Sequence, residues 1–581
     1  MKPQRARGLV IAALAALLAA PLAALGVGGA SERPPTLESL VDAFVAHRLA
    51  RAPYAGRRSG SHAETPLAPA VTAGTLDAQR AWLRDFRARL ESLPADPSGS
   101  GRALLAAAVE HDSLELEVLR PFERDPGAYV EVIAGSVEAA LDRTTLSPCA
   151  AVRLAILRLH EVPEVLRAAR VNLRNPPRVL TERAIGRYQA VLRFYRRDLP
   201  RMAEGCHAPR MQADLAEADT LAIRTVEAFL AYLEQDLLPA SRGEIVIGPL
   251  ACRRLLATSL MAEVAPVESL LAESTRRLDA CRTELDSLAP GVSGAGTTTA
   301  ALESLAVTGP DDRDPVAAGE QALERVRNFL RTSDLVAVPA GVALRVRRAR
   351  ALDVLDGVRL AAGDAGEPRV SPAWLAIAPA DSADSAAEGD RSGHWERELA
   401  VAAEGIPGRL LRELGGRGPS LLLGRAMADA WNGADWGGYC ERTMVDLGYG
   451  ARDPRYRFAH AARALREAGR SLASLALHAG AMSPPEVIRM LEERCLLTPA
   501  EAERQMQWAA SDEGLMGYTI GAQRLLELQE EVSRRLGPRF RIRSFNDAVL
   551  RCGVAPYGEV RTRVWHELTG AAGNDPVGAK P

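Results

Sequence analysis

Apolar residues recur at three- and four-residue spacings along most of the chain, which is the pattern of amphipathic helices. Leu, Ala and Val hold these positions, and Arg and Glu fill many of the positions between them. Helical periodicity resumes near residue 395 and continues to about residue 569. In the first half of the chain the pattern predicts helices over 75–93, 101–122, 147–171, 178–197, 210–237 and 250–288.

A short region in the middle of the chain has a different pattern. The stretch DLVAVPAGVALRVRR (334–348) predicts a short hairpin or strand pair, and PAWLAIAP (372–379) predicts a further strand. Aromatic residues make up only 4% of the chain, which argues against a large sheet. The prediction is therefore an all-α fold, predominantly helical, with a small β insert at 334–379.

This pattern also predicts the domain organisation. We expect a single large helical domain over 31–570, with an N-terminal helical half at 31–330 and a C-terminal helical half at 395–570. The β insert separates the two halves. The polar and Gly-containing end of the chain, 571–581, is expected to be a disordered tail.

The first 30 residues have the layout of a secretory signal peptide. The basic residues Lys2, Arg5 and Arg7 precede the apolar run 8–27, and small residues follow up to Ala30. This order predicts cleavage near Ala30 and an exported protein, periplasmic or extracellular. An uncleaved membrane anchor is the alternative interpretation of the same residues.

Composition narrows the functional classes. The net charge is −2 and charged residues make up 25% of the chain, so no overall field favours nucleic acid or an anionic membrane as a partner. The seven cysteines show no C-x-x-C spacing, which argues against zinc-finger and redox motifs. Their pairing, including that of Cys149 with Cys206, stays open at this stage, as does the oligomeric state.

One helical pattern in the C-terminal half interrupts itself. The stretch ELAVAAEGIPGRLLREL (398–414) is amphipathic on both sides of Gly405-Ile406-Pro407-Gly408. Proline lacks a backbone donor and glycine adds backbone entropy, so this tetrapeptide breaks the helix directly after Glu404.

Short segments in a fixed order surround this break and carry a resemblance. The chain resembles the bacterial family of the domain of unknown function 885, in which H-E-x-Y-P-G-H precedes E-G-W-A-x-Y-x-E and three later motifs. The resemblance implies an all-helical, zincin-like metallopeptidase scaffold with a cleft. The corresponding segments here are AEGIPGR (403–409), ADWGGYCE (434–441), SLALH (474–478), DEGLMGYTIG (512–521) and FNDAVLRCGVAP (545–556).

The resemblance also implies where a zinc ion would be held, and the residues at those positions do not suit it. The two motif histidines are Ala403 and Arg409, and the motif glutamate is Ala434. Alanine has no lone pair to donate, and a guanidinium is a permanent cation. We therefore expect no metal and no cofactor, because the ancestral zinc site is lost, and we interpret the chain as a pseudoenzyme.

Several motif residues remain as vestigial candidates. Glu404 matches the position of the catalytic base, His478 a motif histidine and Tyr518 a tyrosine that donates to an oxyanion. The alternative for His478 and Tyr518 is a structural role, in which each side chain packs on a helix and its polar group is hydrogen-bonded within the protein. Trp436 and Tyr439 are candidates for binding a peptide or protein partner.

Arg409 has three interpretations. It pairs with Glu404 in place of the metal, it binds a carboxylate such as a peptide C-terminus, or it is a solvated surface arginine.

An active enzyme is the alternative function. One version is a peptidase or other hydrolase with a noncanonical metal site made by Glu404, Asp435, Glu441 and His478. Another pairs Cys440 as nucleophile with His478 as base. The leading hypothesis remains an exported, inactive relative of a zinc metallopeptidase that binds peptides or a protein partner in the cleft.

Overall fold

The fold is described from a computed structural model of the chain. The predicted signal peptide and the predicted C-terminal tail lie outside the described residues. The structure describes residues 36–51, 67–93, 100–143, 145–260, 263–293, 296–307, 314–353, 358–361, 373–378, 393–415, 423–424, 426–427, 434–553 and 557–570.

Helices dominate the first part of the chain. Short π-helical turns continue four of them, at Glu115–Leu119, Glu131–Gly135, Phe194–Asp198 and Leu233–Leu237. The α-helices described before the sheet are α1 Leu37–Arg51, α2 Ala73–Glu91, α3 Ser100–Leu114, α4 Pro121–Arg124, α5 Ala128–Val130, α6 Ser136–Leu141, α7 Pro148–Asn172, α8 Arg178–Arg193, α9 Leu199–Met202, α10 Pro209–Tyr232, α11 Leu238–Ala240, α12 Pro249–Leu260, α13 Val267–Leu288, α14 Pro290–Ser293, α15 Thr298–Val307 and α16 Pro315–Ser333.

A second group of helices follows the sheet. A 3₁₀ turn at Glu513–Gly517 leads into one of them. The described helices of this group are α17 His394–Glu404, α18 Arg409–Leu414, α19 Ala434–Asp446, α20 Pro454–Ala479, α21 Pro484–Cys495, α22 Pro499–Ser511, α23 Tyr518–Leu536, α24 Ile542–Cys552 and α25 Tyr557–Thr569. The prediction of an all-α fold with a small β insert is confirmed.

The sheet has three strands, β1 Leu344–Arg348, β2 Val358–Ala361 and β3 Ala373–Ile377. Its strand order is β1-β3-β2, with β1 parallel and β2 antiparallel to the central β3. The predicted hairpin at 334–348 is wrong, because β1 pairs with β3 rather than with the residues that precede β1.

Side chains explain why the residues before β1 form no strand. The backbone carbonyl of Leu335 accepts from the Asn546 amide at 2.8 Å, and the N–H of Ala337 donates to the Asp547 carboxylate at 2.8 Å. Gly341 then turns the chain with φ of 88°. The backbone groups that a hairpin would pair are therefore used by α24.

Two predicted helices end earlier than the periodicity suggested. The stretch 250–288 divides into α12 and α13, with Pro266 directly before α13. The stretch 101–122 ends at Arg120, whose φ of 50° is left-handed, and Pro121 begins the next helix. Apolar spacing continues across both breaks, but proline cannot donate the hydrogen bond that a continuous helix needs.

Helix α20 lies at the centre of the C-terminal part. It packs on α13, α17, α21 and α22, and nearly every residue from Phe458 to His478 is buried. Asp453 caps its N-terminus, and Gly480 in the left-handed conformation ends it by donating its N–H to carbonyls of the last turn. This geometry fixes the position of His478, which is the second-last residue of the helix.

A disulfide joins Cys149 at the start of α7 to Cys206, which precedes α10. The other five cysteines are free thiols. Among the described residues, no helix is both long enough and apolar enough to cross a membrane.

Candidate functional site

The predicted helix break is present and closely packed. Helix α17 ends at Glu404, α18 begins at Arg409, and the Ile406–Pro407 peptide bond between them is cis. A Cβ on Gly408 would lie 1.9 Å from the Ala403 carbonyl oxygen, so only glycine fits at this close approach. The N–H of Gly408 donates to the Ala402 carbonyl at 3.1 Å.

The turn brings Glu404 and Arg409 together. The Arg409 Nη1 lies 3.5 Å from the Glu404 Oε2, and its Nε lies 3.0 Å from the Glu413 Oε1 on the next turn of α18. The Arg409 side chain is only 12% exposed, so it is not a solvated surface arginine. Of the three interpretations of Arg409, the geometry favours internal pairing with Glu404.

Glu404 has a further partner in the sheet. Its Oε2 accepts from the N–H of Leu360 on β2 at 3.1 Å. The carboxylate that matches the catalytic base is therefore held by a guanidinium and a backbone donor. Through these contacts Glu404, at the end of α17, joins the helix break to α18 and to the sheet.

Trp436 and Tyr439 lie behind the break, fully buried in one core cluster. The Trp436 Nε1 donates to the Pro407 carbonyl at 2.9 Å. The Tyr439 hydroxyl lies 2.7 Å from both the Gln529 Oε1 and the Asn546 Oδ1. Trp436 therefore stabilises the turn, and because both side chains are buried with their polar atoms bonded inside the protein, neither presents a polar group to a ligand in this structure.

The other residues at the motif positions lie on α17, α19 and α23. Ala403 is buried on α17. Gly437 of α19 packs closely against it, since a Cβ added to Gly437 would lie 2.8 Å from the Ala403 carbonyl oxygen. Ala434 and Tyr518 are the first residues of α19 and α23. Their side chains, and that of Asp435, lie outside the described residues.

Glu441, one ligand of the proposed noncanonical metal site, has its own buried partners. Its Oε1 lies 2.8 Å from the His460 Nδ1, and Arg463 Nε is 3.2 Å from both carboxylate oxygens. Burial raises the pKa of Glu441, but Arg463 and His460 outweigh it and hold that pKa below its usual value. The carboxylate is thus paired within the protein.

His478 is 1% exposed and faces a different part of the molecule. Its Nδ1 lies 2.8 Å from the carbonyl oxygen of Ser474, one turn back along α20. Burial, with the positive charge of Arg124, lowers the pKa of His478 to about 4, so the ring is neutral at neutral pH. Cys440 makes its contact elsewhere, with the Pro407 carbonyl at 3.7 Å from its Sγ.

His478 lines a cavity of about 260 Å³ that lies between the two halves of the chain. None of Glu404, Arg409, Trp436 and Tyr439 is among the described residues around it. Sequence analysis identified His478 as a candidate and included Asp512 in a motif segment, but it missed the other charged residues of the lining, because no motif spacing marks them. The charged and imidazole side chains of the lining are Arg48, His111, Glu115, Arg124, Asp125, His478 and Asp512.

A possible group of metal ligands adjoins this cavity. Among the described residues, one ligand atom each from His111, Asp112 and Glu115 lie within 4.8 Å of one another. Arg48 donates a hydrogen bond to Asp112, and its Nη1 is 4.0 Å from the Glu115 carboxylate. A divalent cation would have to displace this guanidinium, so the group is better described as an ion-pair cluster.

Comparison with known proteins places the chain in a family. The family described as bacterial protein of unknown function, DUF885, matches residues 51–564. The chain belongs to this family. The match includes all five segments around the helix break that carry the sequence resemblance.

Solved structures share the fold. A putative lipoprotein of unknown function from Shewanella oneidensis is 17% identical, with a TM-score of 0.68 over 91% of this chain and 99% of that chain. A putative lipoprotein from Colwellia psychrerythraea is 14% identical, with a TM-score of 0.70 over 92% of this chain and 100% of that chain. At these identities the similarity concerns the fold. No curated protein matches the chain.

The zinc ion implied by the family resemblance does not fit the residues at the break. Where two histidines would donate, the chain has the methyl group of Ala403 and the guanidinium of Arg409. That guanidinium already lies between Glu404 and Glu413. A zinc ion there would face a fixed positive charge and lack imidazole ligands.

Proposed function

We propose that this protein is an exported, non-catalytic member of the family that binds a peptide ligand in its cleft. The observation that carries the proposal is the position of Arg409, paired with Glu404 and Glu413 where a ligand histidine would lie. The Arg409–Glu404 ion pair joins α17 to α18 across the turn, and this supports a turn that keeps its shape without a metal ion.

Three observations support export. Basic residues precede the apolar run at 8–27, in the layout of a signal peptide. The Cys149–Cys206 disulfide suits an oxidising compartment. Two proteins with the same fold are described as putative lipoproteins.

Loss of catalysis is supported by what the candidate residues already bind. The Glu404 carboxylate accepts a hydrogen bond from the N–H of Leu360 and pairs with Arg409. Because these groups of the protein already engage it, it is not available as a general base. Glu441 is held by His460 and Arg463. Among the described residues, Glu404, Glu441 and His478 do not form a group of neighbouring ligand atoms.

Binding is supported by the cavity beside His478. Residues from both halves line it, and the lining combines aliphatic side chains with charged ones. Binding sites for small ligands combine apolar walls with a few polar groups in this way.

A peptidase assay on a mixed peptide library, with and without a chelator, tests the loss of catalysis. We expect no hydrolysis in either condition, and chelator-sensitive hydrolysis would overturn the proposal. The triple variant Ala403→His, Arg409→His, Ala434→Glu tests the assigned position. We expect it to gain zinc binding, and failure of a folded variant to bind zinc contradicts the assignment of the break as the former metal position.

A further inference from the structure

An arginine-rich turn lies between α23 and α24. The stretch RRLGPRFRIRSFN (534–546) contains five arginines and no acidic residue. Gly537, with φ of 54°, ends α23, and a 3₁₀ turn over Gly537–Arg539 leads toward α24. Although the net charge of the whole chain is −2, positive charge is therefore concentrated at this turn.

Apolar residues of the same stretch hold the turn against the core. Leu536 and Phe540 pack on the core cluster that contains Trp436. The backbone is extended at Phe540 and Arg541, and successive side chains of an extended chain point to opposite sides. Because Phe540 points inward, Arg539 and Arg541 point outward, and both are exposed.

Three of the arginines have no acidic partner within the described parts of the chain. No carboxylate there pairs with Arg535, Arg539 or Arg541, and all three side chains are exposed. Arg541 donates to the backbone carbonyls of Pro538 and Phe540 at 2.9 and 2.8 Å, which orients its guanidinium beside the turn without neutralising it. Their positive charge therefore faces solvent.

The other two arginines of the stretch differ from each other. Arg534 lies 3.9 Å from Glu530, and these side chains are 71% and 73% exposed, so the pair contributes little. Arg543 donates to Asp334 and lies 3.6 Å from Asp547, so its charge is balanced within the protein. We therefore define the arginine patch as Arg534, Arg535, Arg539 and Arg541.

The exposure of the arginine patch favours one kind of anion. Exposed side chains do not enclose a single small anion, and an isolated exposed ion pair is weak. A surface that carries many negative charges engages all four arginines at once, and each arginine then strengthens binding by about fivefold. Anionic phospholipid headgroups form such a surface, and an exported protein meets membranes rather than nucleic acid.

We propose that the arginine patch docks the mature protein on an anionic phospholipid membrane. The four guanidinium groups lie against the headgroup phosphates, and the turn Gly537–Arg539 faces the membrane. Binding is reversible, because stable anchoring takes a second signal such as an inserted apolar chain. The inference goes beyond the proposed function and rests only on its export part.

Co-sedimentation with lipid vesicles tests this assignment. The mature protein, without residues 1–30, is used so that the apolar run at 8–27 cannot insert. At low salt we expect binding to phosphatidylglycerol vesicles and no binding to phosphatidylcholine vesicles. Raising the salt from about 0.01 M to about 1 M shortens the Debye length from about 30 Å to about 3 Å and should release the protein.

A triple variant assigns the binding to the arginine patch. At about fivefold per arginine, we expect Arg535→Gln, Arg539→Gln, Arg541→Gln to lower the partition coefficient by about 100-fold. The matched control has the same net charge and should bind like the wild type. It removes arginines that are 64%, 68% and 69% exposed on α7, α13 and α16, by Arg167→Gln, Arg276→Gln and Arg331→Gln. Far-ultraviolet circular dichroism and thermal unfolding verify that both variants are folded.

Several results would overturn the inference. Equal loss of binding in the two triple variants would show that net charge, and not the patch, attracts the membrane. Release from the vesicles by inorganic phosphate at constant ionic strength would show a site for free phosphate. Tighter binding to double-stranded DNA than to phosphatidylglycerol would show a nucleic-acid surface.

Failure of this inference is distinguishable from failure of the proposed function. Absence of binding to phosphatidylglycerol vesicles overturns the inference and leaves the loss of catalysis and the binding of peptides standing. Fractionation of the producing cells measures export separately, since a protein that stays in the cytoplasm contradicts the export part whatever the purified protein does with vesicles.

Discussion

The Arg409 guanidinium lies 3.5 Å from the Glu404 carboxylate, across a turn that is only four residues long. Glu404 is the last residue of α17, and Arg409 is the first residue of α18. The ion pair thus connects the two helix ends that Pro407 and Gly408 separate. Arg409 therefore links the two helices on either side of the turn.

Replacing Arg409 with alanine tests the structural value of this pair. The change leaves Glu404 and Glu413 without their shared cation in a partly buried place, and we expect the free energy of unfolding to fall by about 1–3 kcal/mol. Urea denaturation measures it. Arg167→Ala is the control, since that arginine is 64% exposed and its ion pair with Glu164 is worth at most about 0.5 kcal/mol. Equal effects of the two substitutions would show that Arg409 has no special structural role.

Gly408 should tolerate no side chain. A Cβ would meet the Ala403 carbonyl oxygen at 1.9 Å, so Gly408→Ala must move the backbone of the turn. We expect a loss of about 3 kcal/mol in the free energy of unfolding. Gly186→Ala is the opposite control, because the position lies inside α8 with no neighbouring atom within 4 Å of the added Cβ. That variant should be stabilised by about 0.5–1 kcal/mol. A neutral Gly408→Ala would contradict the described turn.

His478 should make stability depend on pH. Its folded-state pKa of about 4 lies below the ordinary value of 6.5, so between these values the unfolded chain binds a proton that the folded chain does not. The free energy of unfolding of the protein therefore falls as the pH is lowered from about 6.5 to about 4. From about pH 7.5 to about pH 5 we expect the wild type to lose about 2 kcal/mol more than His478→Gln.

Urea denaturation at the two pH values measures this difference. His566→Gln, at an exposed position on α25, is the control and should follow the wild type. Parallel pH curves for the wild type and His478→Gln would show that the histidine is not buried as described.

The Cys149–Cys206 disulfide closes a loop with a sequence separation of 57 residues. Removing it with Cys149→Ser and Cys206→Ser frees the unfolded chain, and we expect a loss of about 2–4 kcal/mol in the free energy of unfolding. A reductant should lower the stability of the wild type and leave the double variant unchanged. If reductant has no effect on the wild type, the two cysteines are not joined in the purified protein.

Local patterns in the sequence predicted much of this fold. Three- and four-residue periodicity identified most of the helices, because burial of one apolar stripe is what stabilises them. It did not separate α12 from α13, since apolar spacing continues past Pro266. It also missed the parallel pairing of β1 with β3, which depends on α24 taking up the hydrogen bonds before β1.

The helix break was predictable, and the cavity was not. Gly405 to Gly408 are contiguous, and the partners Glu404 and Arg409 lie directly beside them. The cavity brings Arg48 and Arg124 next to His478 and Asp512 from more than 350 residues away, and only tertiary packing joins them. The burial of Trp436 and Tyr439 was likewise not predictable from the sequence, because an aromatic residue in a motif looks the same in sequence whether it contacts a ligand or packs in the core.

The metal content of the purified, mature protein tests the central claim most directly. Elemental analysis after expression with zinc supplementation and extensive dialysis gives the number of zinc ions per chain. Because Arg409 pairs with Glu404 where an imidazole would donate, we expect far less than one zinc per chain and no change in thermal unfolding with a chelator. One tightly held zinc per chain, with a lower unfolding temperature after its removal, would contradict the account.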